Sequence, residues 1–192
     1  MTVSVASILS SSGTLKLELA KNTPLVASIQ KAGEEIIQRL KNGGTIYSCG
    51  NGGSSCDAAH FTEELVARYK SNRQPLRGIH FGDPGVLTCW GNDIGYEDAF
   101  RRQAEAFCTG KDILVGISTS GKSKNVEKAI LEAKGKGALT IGLLGKDGGT
   151  IAAQVNLPIV IPSQFTERIQ EVHITIIHIW CEMLEEAFPA KK

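Results

Sequence analysis

The chain lacks any apolar run near the roughly 20 residues that span a bilayer, and its formal net charge is only +1. It is therefore expected to have no membrane partner, and no electrostatic case exists for nucleic acid or an acidic lipid surface. The opening stretch MTVSVASILSSSG has no basic n-region and no long apolar h-region, which argues against a secretory leader. C-x-x-C spacing is missing, and the five cysteines (Cys49, Cys56, Cys89, Cys108 and Cys181) are odd in number. That excludes a disulfide framework and a cysteine-based zinc site, and fits reduced thiols in a cytoplasmic protein. There is no Walker A loop and no G-x-G-x-x-G followed by an acidic residue, so no nucleotide cofactor is expected. Low-complexity segments and linkers are absent too. With 192 residues, 42% apolar and 21% charged, the composition suits one folded domain over 1–192 with a sizeable core.

What is present is organised around residues 45–69, TIYSCGNGGSSCDAAHFTEELVARY. The brief apolar run Thr45–Cys49 reads as a buried strand. Gly50-Asn51-Gly52-Gly53 supplies a turn where backbone can approach a ligand closely. Ser54 is the expected N-cap of the next helix, with Asp57 as an imperfect capping-box partner. Such a helix aims free N–H groups at the loop, a ready site for an anion or hydroxyl. His60 and Glu64, four apart, share one helix face. A solvated i,i+4 ion pair is the bland reading of that spacing.

Helical spacing is expected over 14–21 and 24–41, with Pro24 near a helix start and Ile29, Ile36, Ile37 and Leu40 as a stripe stopped by Gly43-Gly44. After a polar loop, 70–75, residues 77–81 form a strand candidate. Asp83-Pro84-Gly85 reads as a turn, 86–90 as helical or irregular, and Gly91-Asn92-Asp93 as a break before a helix over 97–107. Residues 112–118, DILVGIS, form the cleanest buried strand, followed by a helix over 124–134. A strand over 138–144, the turn GKDGG at 145–149 and an edge strand over 157–161 between prolines come next. The last helix, about 165–187, carries Ile169, Val172, Ile176, Ile179 and Met183 on its apolar side. Strands alternating with helices imply a parallel sheet covered on both faces, with ligands outside the carboxyl ends of the strands. The strand–loop–helix of 45–69 recurs weakly at 112–134.

Ser118-Thr119-Ser120-Gly121-Lys122-Ser123 places four hydroxyls around a glycine, between a strand and a helix. Hydroxyls and N–H groups there can hold a phosphomonoester, mainly through several hydrogen bonds to charged oxygen. A capped turn that merely starts a helix is the plainer alternative. On the last helix Gln170, Glu171, His173 and His178 are polar among apolar neighbours. Gln170 and His178, eight apart, can share a broad face through Ile174. His173 is read as a buried, hydrogen-bonded histidine, whereas His178 needs a partner, such as a carboxylate or a metal.

Together, SCGNGGSSCDAAHFTEEL, WGND at 90–93, GISTSGKS at 116–123, GKDGG and ERIQEVHITIIH at 167–178 resemble the sugar isomerase (SIS) domain family. The likeness runs over nearly the whole chain. It is greatest to the branch interconverting sedoheptulose 7-phosphate and D-glycero-D-manno-heptose 7-phosphate, the first step toward nucleotide-activated heptose for lipopolysaccharide core or other surface glycans. The resemblance implies a flavodoxin-like three-layer α/β/α sandwich with a central parallel sheet. Extra helices within 1–43 would pack on the sheet or a subunit interface. It also implies a homotetramer with active sites between subunits. Glu64 and His178 would be the acid/base pair, in either division of the carbon and oxygen protons. Ser118, Thr119, Ser120 and Ser123 would hold phosphate. Asn51, Gly52, Gly53, Ser54, Glu64, Arg68, Asn92, Asp93 and Gln170 would meet the sugar or frame its pocket. Some members bind zinc at the positions of His60, Glu64, Gln170 and His178, so zinc is the implied cofactor. Ser55 stands where some members carry His, and Glu167 where Asp is often found. A non-catalytic SIS binding module of similar size, or an isomerase of another ketose phosphate, are the rival readings.

Overall fold

The structure, a computed structural model, describes residues 4–190. The first three residues of the stretch tested for a leader, and the last two of the chain, lie outside the described residues. Among the described residues no helix is long and apolar enough to cross a membrane.

Five parallel strands form one sheet in the order β2-β1-β3-β4-β5. They are β1 (Ile46–Gly50), β2 (Gly78–His80), β3 (Ile113–Ser118), β4 (Leu139–Gly145) and β5 (Leu157–Ile161). Wholly buried β1 and β3 pair in register, Ile46 opposite Ile113 and Gly50 opposite Ile117, so their carboxyl ends stop side by side. β5, with Pro158, lies at one edge, as a strand lacking one ladder donor must.

Helices are α1 (Val5–Ala20), α2 (Thr23–Lys41), α3 (Gly53–Val66), α4 (Pro84–Asp93), α5 (Ala99–Phe107), α6 (Lys124–Gly135) and α7 (Thr166–Ala187), with a 3-10 turn at Tyr96–Asp98. Period-2 alternation divides the core between the two faces of the sheet. Ile113, Val115 and Ile117 face Ile36 of α2, Phe61 and Leu65 of α3, and Ile169, Ile176 and Trp180 of α7. Leu114 and Leu144 face Phe100 and Ala104 of α5 and Val126, Ala129 and Ile130 of α6. Each fully buried Leu, Ile or Phe contributes about 1.5–3 kcal/mol of hydrophobic transfer.

Several boundaries differ from the sequence expectations. α1 starts at Val5 rather than near 14, because Ser4 accepts the Ser7 N–H and Ser12 Oγ donates to Glu171 Oε2 at 2.6 Å on α7. Ser54 does not cap α3. Gly52, at φ 56°, occupies the cap, and Ser54 is buried in the first turn. Asp57 makes no capping box, and its Oδ2 is buried without a partner. Asp83-Pro84 starts a helix instead of a turn, since Asp83 Oδ1 accepts the Val86 N–H at 2.8 Å. Gly91-Asn92-Asp93 does not break the chain, and α4 runs through it. On α7, Ile179 turns outward, and Ile177, Trp180 and Leu184 are buried in its stead.

Candidate active site

α3 and α7 pack against each other on one face of the sheet, with the Phe61 and Trp180 rings 5.7 Å apart. Arg73 reinforces this join by donating to the Glu64 and Leu65 carbonyls at the end of α3. Outward from that seam, α3 presents His60 and Glu64 one turn apart, and α7 presents His178. His60 Nε2 lies 3.1 Å from His178 Nε2 and 3.3 Å from Glu64 Oε1. Tyr69 covers the other side of His178, ring centroids 6.0 Å apart.

His60 Nε2 thus stands within hydrogen-bond reach of His178 Nε2, donor and acceptor being set by the tautomers, and at ion-pair distance from Glu64. Among the described residues the three side chains also form a possible metal-ligand group, one donor atom from each, all within 4.8 Å of one another. Zinc bonds of about 2.0–2.1 Å in a tetrahedron set neighbouring donors about 3.3 Å apart. The 3.1 Å and 3.3 Å separations found here match that spacing. Two imidazoles and a carboxylate are ordinary zinc donors.

The loops at the carboxyl ends of β1 and β3 form a second zone. Ser118 Oγ sits 2.9 Å from Ser123 Oγ and 3.4 Å from Ser120 Oγ, so these hydroxyls converge, with Thr119 beside them at the half-buried loop tip. Gly121, at φ 64°, is pressed against Gly148 and Gly149, and a Cβ there would collide with the Gly148 carbonyl. The GKDGG turn thus props the hydroxyl loop from behind. Gln170, near the start of α7, packs against Gly53, where a Cβ would strike its amide. Ser54 backs the same loop from its buried position. Gln170 and His178 are eight residues apart, about 12 Å along the helix. Gln170 therefore sits beside the loop after β1, and His178 with the imidazole–carboxylate group. Arg68 lies exposed just beyond α3. Asn92 and Asp93 are exposed at the end of α4, Asn92 Nδ2 donating to Asp93 Oδ1 at 2.7 Å.

Sequence reading missed three neighbours of these loops. Asn125, buried in the first turn of α6, exchanges two hydrogen bonds with Asn51, each 2.8 Å. Tyr96 donates to Asn51 Oδ1 at 2.9 Å. His80, on β2, lies 3.1 Å from Ser55 Oγ, and its Nδ1 lies 3.2 Å from the Ser48 carbonyl. The carbonyl requires hydrogen on Nδ1, so Ser55 donates to Nε2, and burial holds the His80 pKa below its ordinary value. A polar residue two places after the hydroxyl loop was the available signal for Asn125. For Tyr96 and His80 there was none.

The SIS domain family matches residues 16–145. Phosphoheptose isomerase of Vibrio cholerae is 49% identical over 162 residues, 84% of this chain and 85% of the relative. The structure of phosphoheptose isomerase GmhA from Neisseria gonorrhoeae superposes with a TM-score of 0.88 at 38% identity, covering 95% of this chain and 97% of that one. That of a phosphoheptose isomerase from Francisella tularensis gives 0.90 at 34%, covering 95% and 96%.

The chain belongs to the phosphoheptose isomerase family of SIS-domain proteins. Membership accounts for the α/β fold with its all-parallel sheet, and for the match extending well beyond the two loops after β1 and β3. It also makes the chain an expected aldose–ketose isomerase in place of a bare binding module.

Proposed function

We propose that this chain interconverts sedoheptulose 7-phosphate and D-glycero-D-manno-heptose 7-phosphate, moving a proton between C1 and C2 through a cis-enediol. The observation that carries this reading is the meeting of Glu64 on α3 and His178 on α7, 114 residues apart in the sequence, with donor atoms within 4.8 Å of one another. Relatives bearing that enzyme name, at about half identity over most of their length, support the same activity.

Ser118, Thr119, Ser120 and Ser123 hold the phosphate. Asn51, Gly52, Gly53, Ser54 and Gln170 line the sugar chain, and Arg68, Asn92 and Asp93 close over it. Glu64 takes the carbon-bound proton and returns it to the neighbouring carbon. His178 carries the proton between the two oxygens. When bound, zinc would polarise the carbonyl oxygen as a Lewis acid, held by His60, Glu64 and His178. The Gln170 amide oxygen would be a poor fourth ligand for that set, and we assign the residue to the sugar. A ligating Glu64 is a weaker base, so metal loading and proton abstraction compete for one carboxylate.

The active unit is a homotetramer with its sites near subunit boundaries. α1 leaves Val5, Ile8, Leu9 and Leu17 exposed, and an apolar groove between α1, α2 and α7 runs past Leu25, Val26 and Ile179. We assign these exposed apolar side chains and the groove to that subunit boundary. All five cysteines are free thiols, which supports a reducing, cytoplasmic setting. Incubating the purified protein with sedoheptulose 7-phosphate and identifying the aldose tests the reading. No aldose phosphate, or faster turnover of a ketohexose phosphate, overturns it.

A further inference from the structure

The hydrogen bonds around Asn51 admit only one orientation of its amide. The Val126 backbone N–H, which can only donate, points at Asn125 Oδ1 at 3.0 Å. That identifies the Asn125 oxygen, so the Asn125 Nδ2 must be the atom facing Asn51, 2.8 Å from Asn51 Oδ1. Asn51 Nδ2 in turn donates to Asn125 Oδ1. The Tyr96 hydroxyl then meets an oxygen and has to donate to it. Both lone pairs of Asn51 Oδ1 are thereby filled, and one of its two N–H groups is used. A single N–H of Asn51 remains, with no partner among the described residues.

We infer that Asn125 and Tyr96 are positioning residues that turn Asn51 into a dedicated single donor for an oxygen acceptor of the phosphosugar chain. This inference rests on the isomerase reading. It names two residues that neither the spacing nor the family resemblance assigned. Three separate segments meet at this point: the loop after β1, the first turn of α6 behind the hydroxyl loop, and the 3-10 turn after α4. An acceptor-only partner at position 125 would reverse the preference. Asn125→Asp removes the donor to Asn51 Oδ1, so the Asn51 amide is free to rotate and can present its oxygen to the sugar.

The test compares wild type with Asn125→Asp and Tyr96→Phe, measuring isomerisation of sedoheptulose 7-phosphate, calorimetric binding of that sugar, and binding of inorganic phosphate. Tyr96→Phe, an exposed change that leaves Asn125 in place, is expected to lower kcat/KM by about three- to tenfold, the worth of one neutral hydrogen bond. Asn125→Asp is expected to lose on the order of tenfold or more in both kcat/KM and sugar affinity. Inorganic phosphate binding should stay within about twofold in both variants. If sugar and phosphate binding fall together, the residues are merely structural and the inference fails. If both variants bind sugar as wild type does, the inference also fails. Wild type that binds the sugar and forms no aldose overturns the isomerase reading alone, because the binding arm still reports on Asn51.

Discussion

Arg73 Nε lies 3.3 Å from Glu185 Oε1, joining the segment after α3 to the far end of α7. The guanidinium is buried, and its two terminal nitrogens donate to the carbonyls of Leu65, Gln74 and Glu64. It therefore does the work of a C-cap for the helix that carries His60 and Glu64, while the ion pair holds that helix to the one that carries His178. Ser71 adds two bonds to Glu185 Oε2, from N–H and hydroxyl. Removing one partner of a buried pair leaves the other charge uncompensated, typically at a cost of about 3–5 kcal/mol. Arg73→Leu is expected to lose stability in that range by urea denaturation, and Arg73→Leu/Glu185→Leu to regain part of it. A single variant as stable as wild type would show that the clamp carries no weight.

Residue 73 also shows where sequence reading stops. Within KSNRQP, Arg73 looks like one more solvated charge, and nothing local announces a carboxylate on the last helix. DILVGIS was legible because continuous apolar residues have only one place to go in a parallel sheet. α4 was not, since none of its residues is buried and no hydrophobic period exists to read. Gly91-Asn92-Asp93 carries the residue types of a breaker, yet Asp83 and Pro84 at the start decided the outcome. At the site, the spacing of His60 and Glu64 was visible, as was the need of His178 for a partner. That the nearest partner atom belongs to His60 is a tertiary fact. So is the Asn51–Asn125 pair.

Glu64→Gln preserves shape and removes the base. A positioned acid or base contributes about 10²–10⁴-fold in rate, so kcat for sedoheptulose 7-phosphate is expected to fall by that factor. Binding of sugar phosphate should persist, because the hydroxyls proposed to hold the phosphate, on the loop after β3, are left unchanged. His178→Gln should lose a comparable factor, and the double variant little more, as expected of two groups serving one proton transfer. Wild-type kcat in Glu64→Gln would remove this carboxylate from the mechanism.

Zinc requires both imidazoles neutral and the Glu64 carboxyl ionised, so its binding to stripped protein is expected to weaken in acid. His60→Ala should cut zinc content, measured by elemental analysis after dialysis, from about one per chain to a small fraction. Chelation of wild type followed by metal and activity assays separates structural from catalytic use. Full zinc content in His60→Ala would place the ion elsewhere.

His173 supplies the clearest acid dependence. Its ring is fully buried, Nε2 donates to the Leu144 carbonyl at 3.1 Å, and Nδ1 has no partner. Burial pushes its pKa down to about 4, partly opposed by that hydrogen bond. In the unfolded chain an imidazole titrates near 6.5. Between those values the unfolded state binds more protons, so stability present above about pH 6.5 is lost progressively as the pH falls toward 4, in total about 3 kcal/mol. Asp57 runs the other way. Burial raises its carboxyl to about 6, so from about pH 4 to 6 it costs stability as the pH rises, and it masks part of the histidine slope in wild type. The informative quantity is therefore the difference between wild type and His173→Gln. At pH 7 the variant should be the less stable, through lost packing. That gap should shrink by about 3 kcal/mol on going to pH 4, read from urea midpoints at each pH. A gap that stays constant from pH 7 to 4 would mean that His173 does not remain neutral in the folded protein.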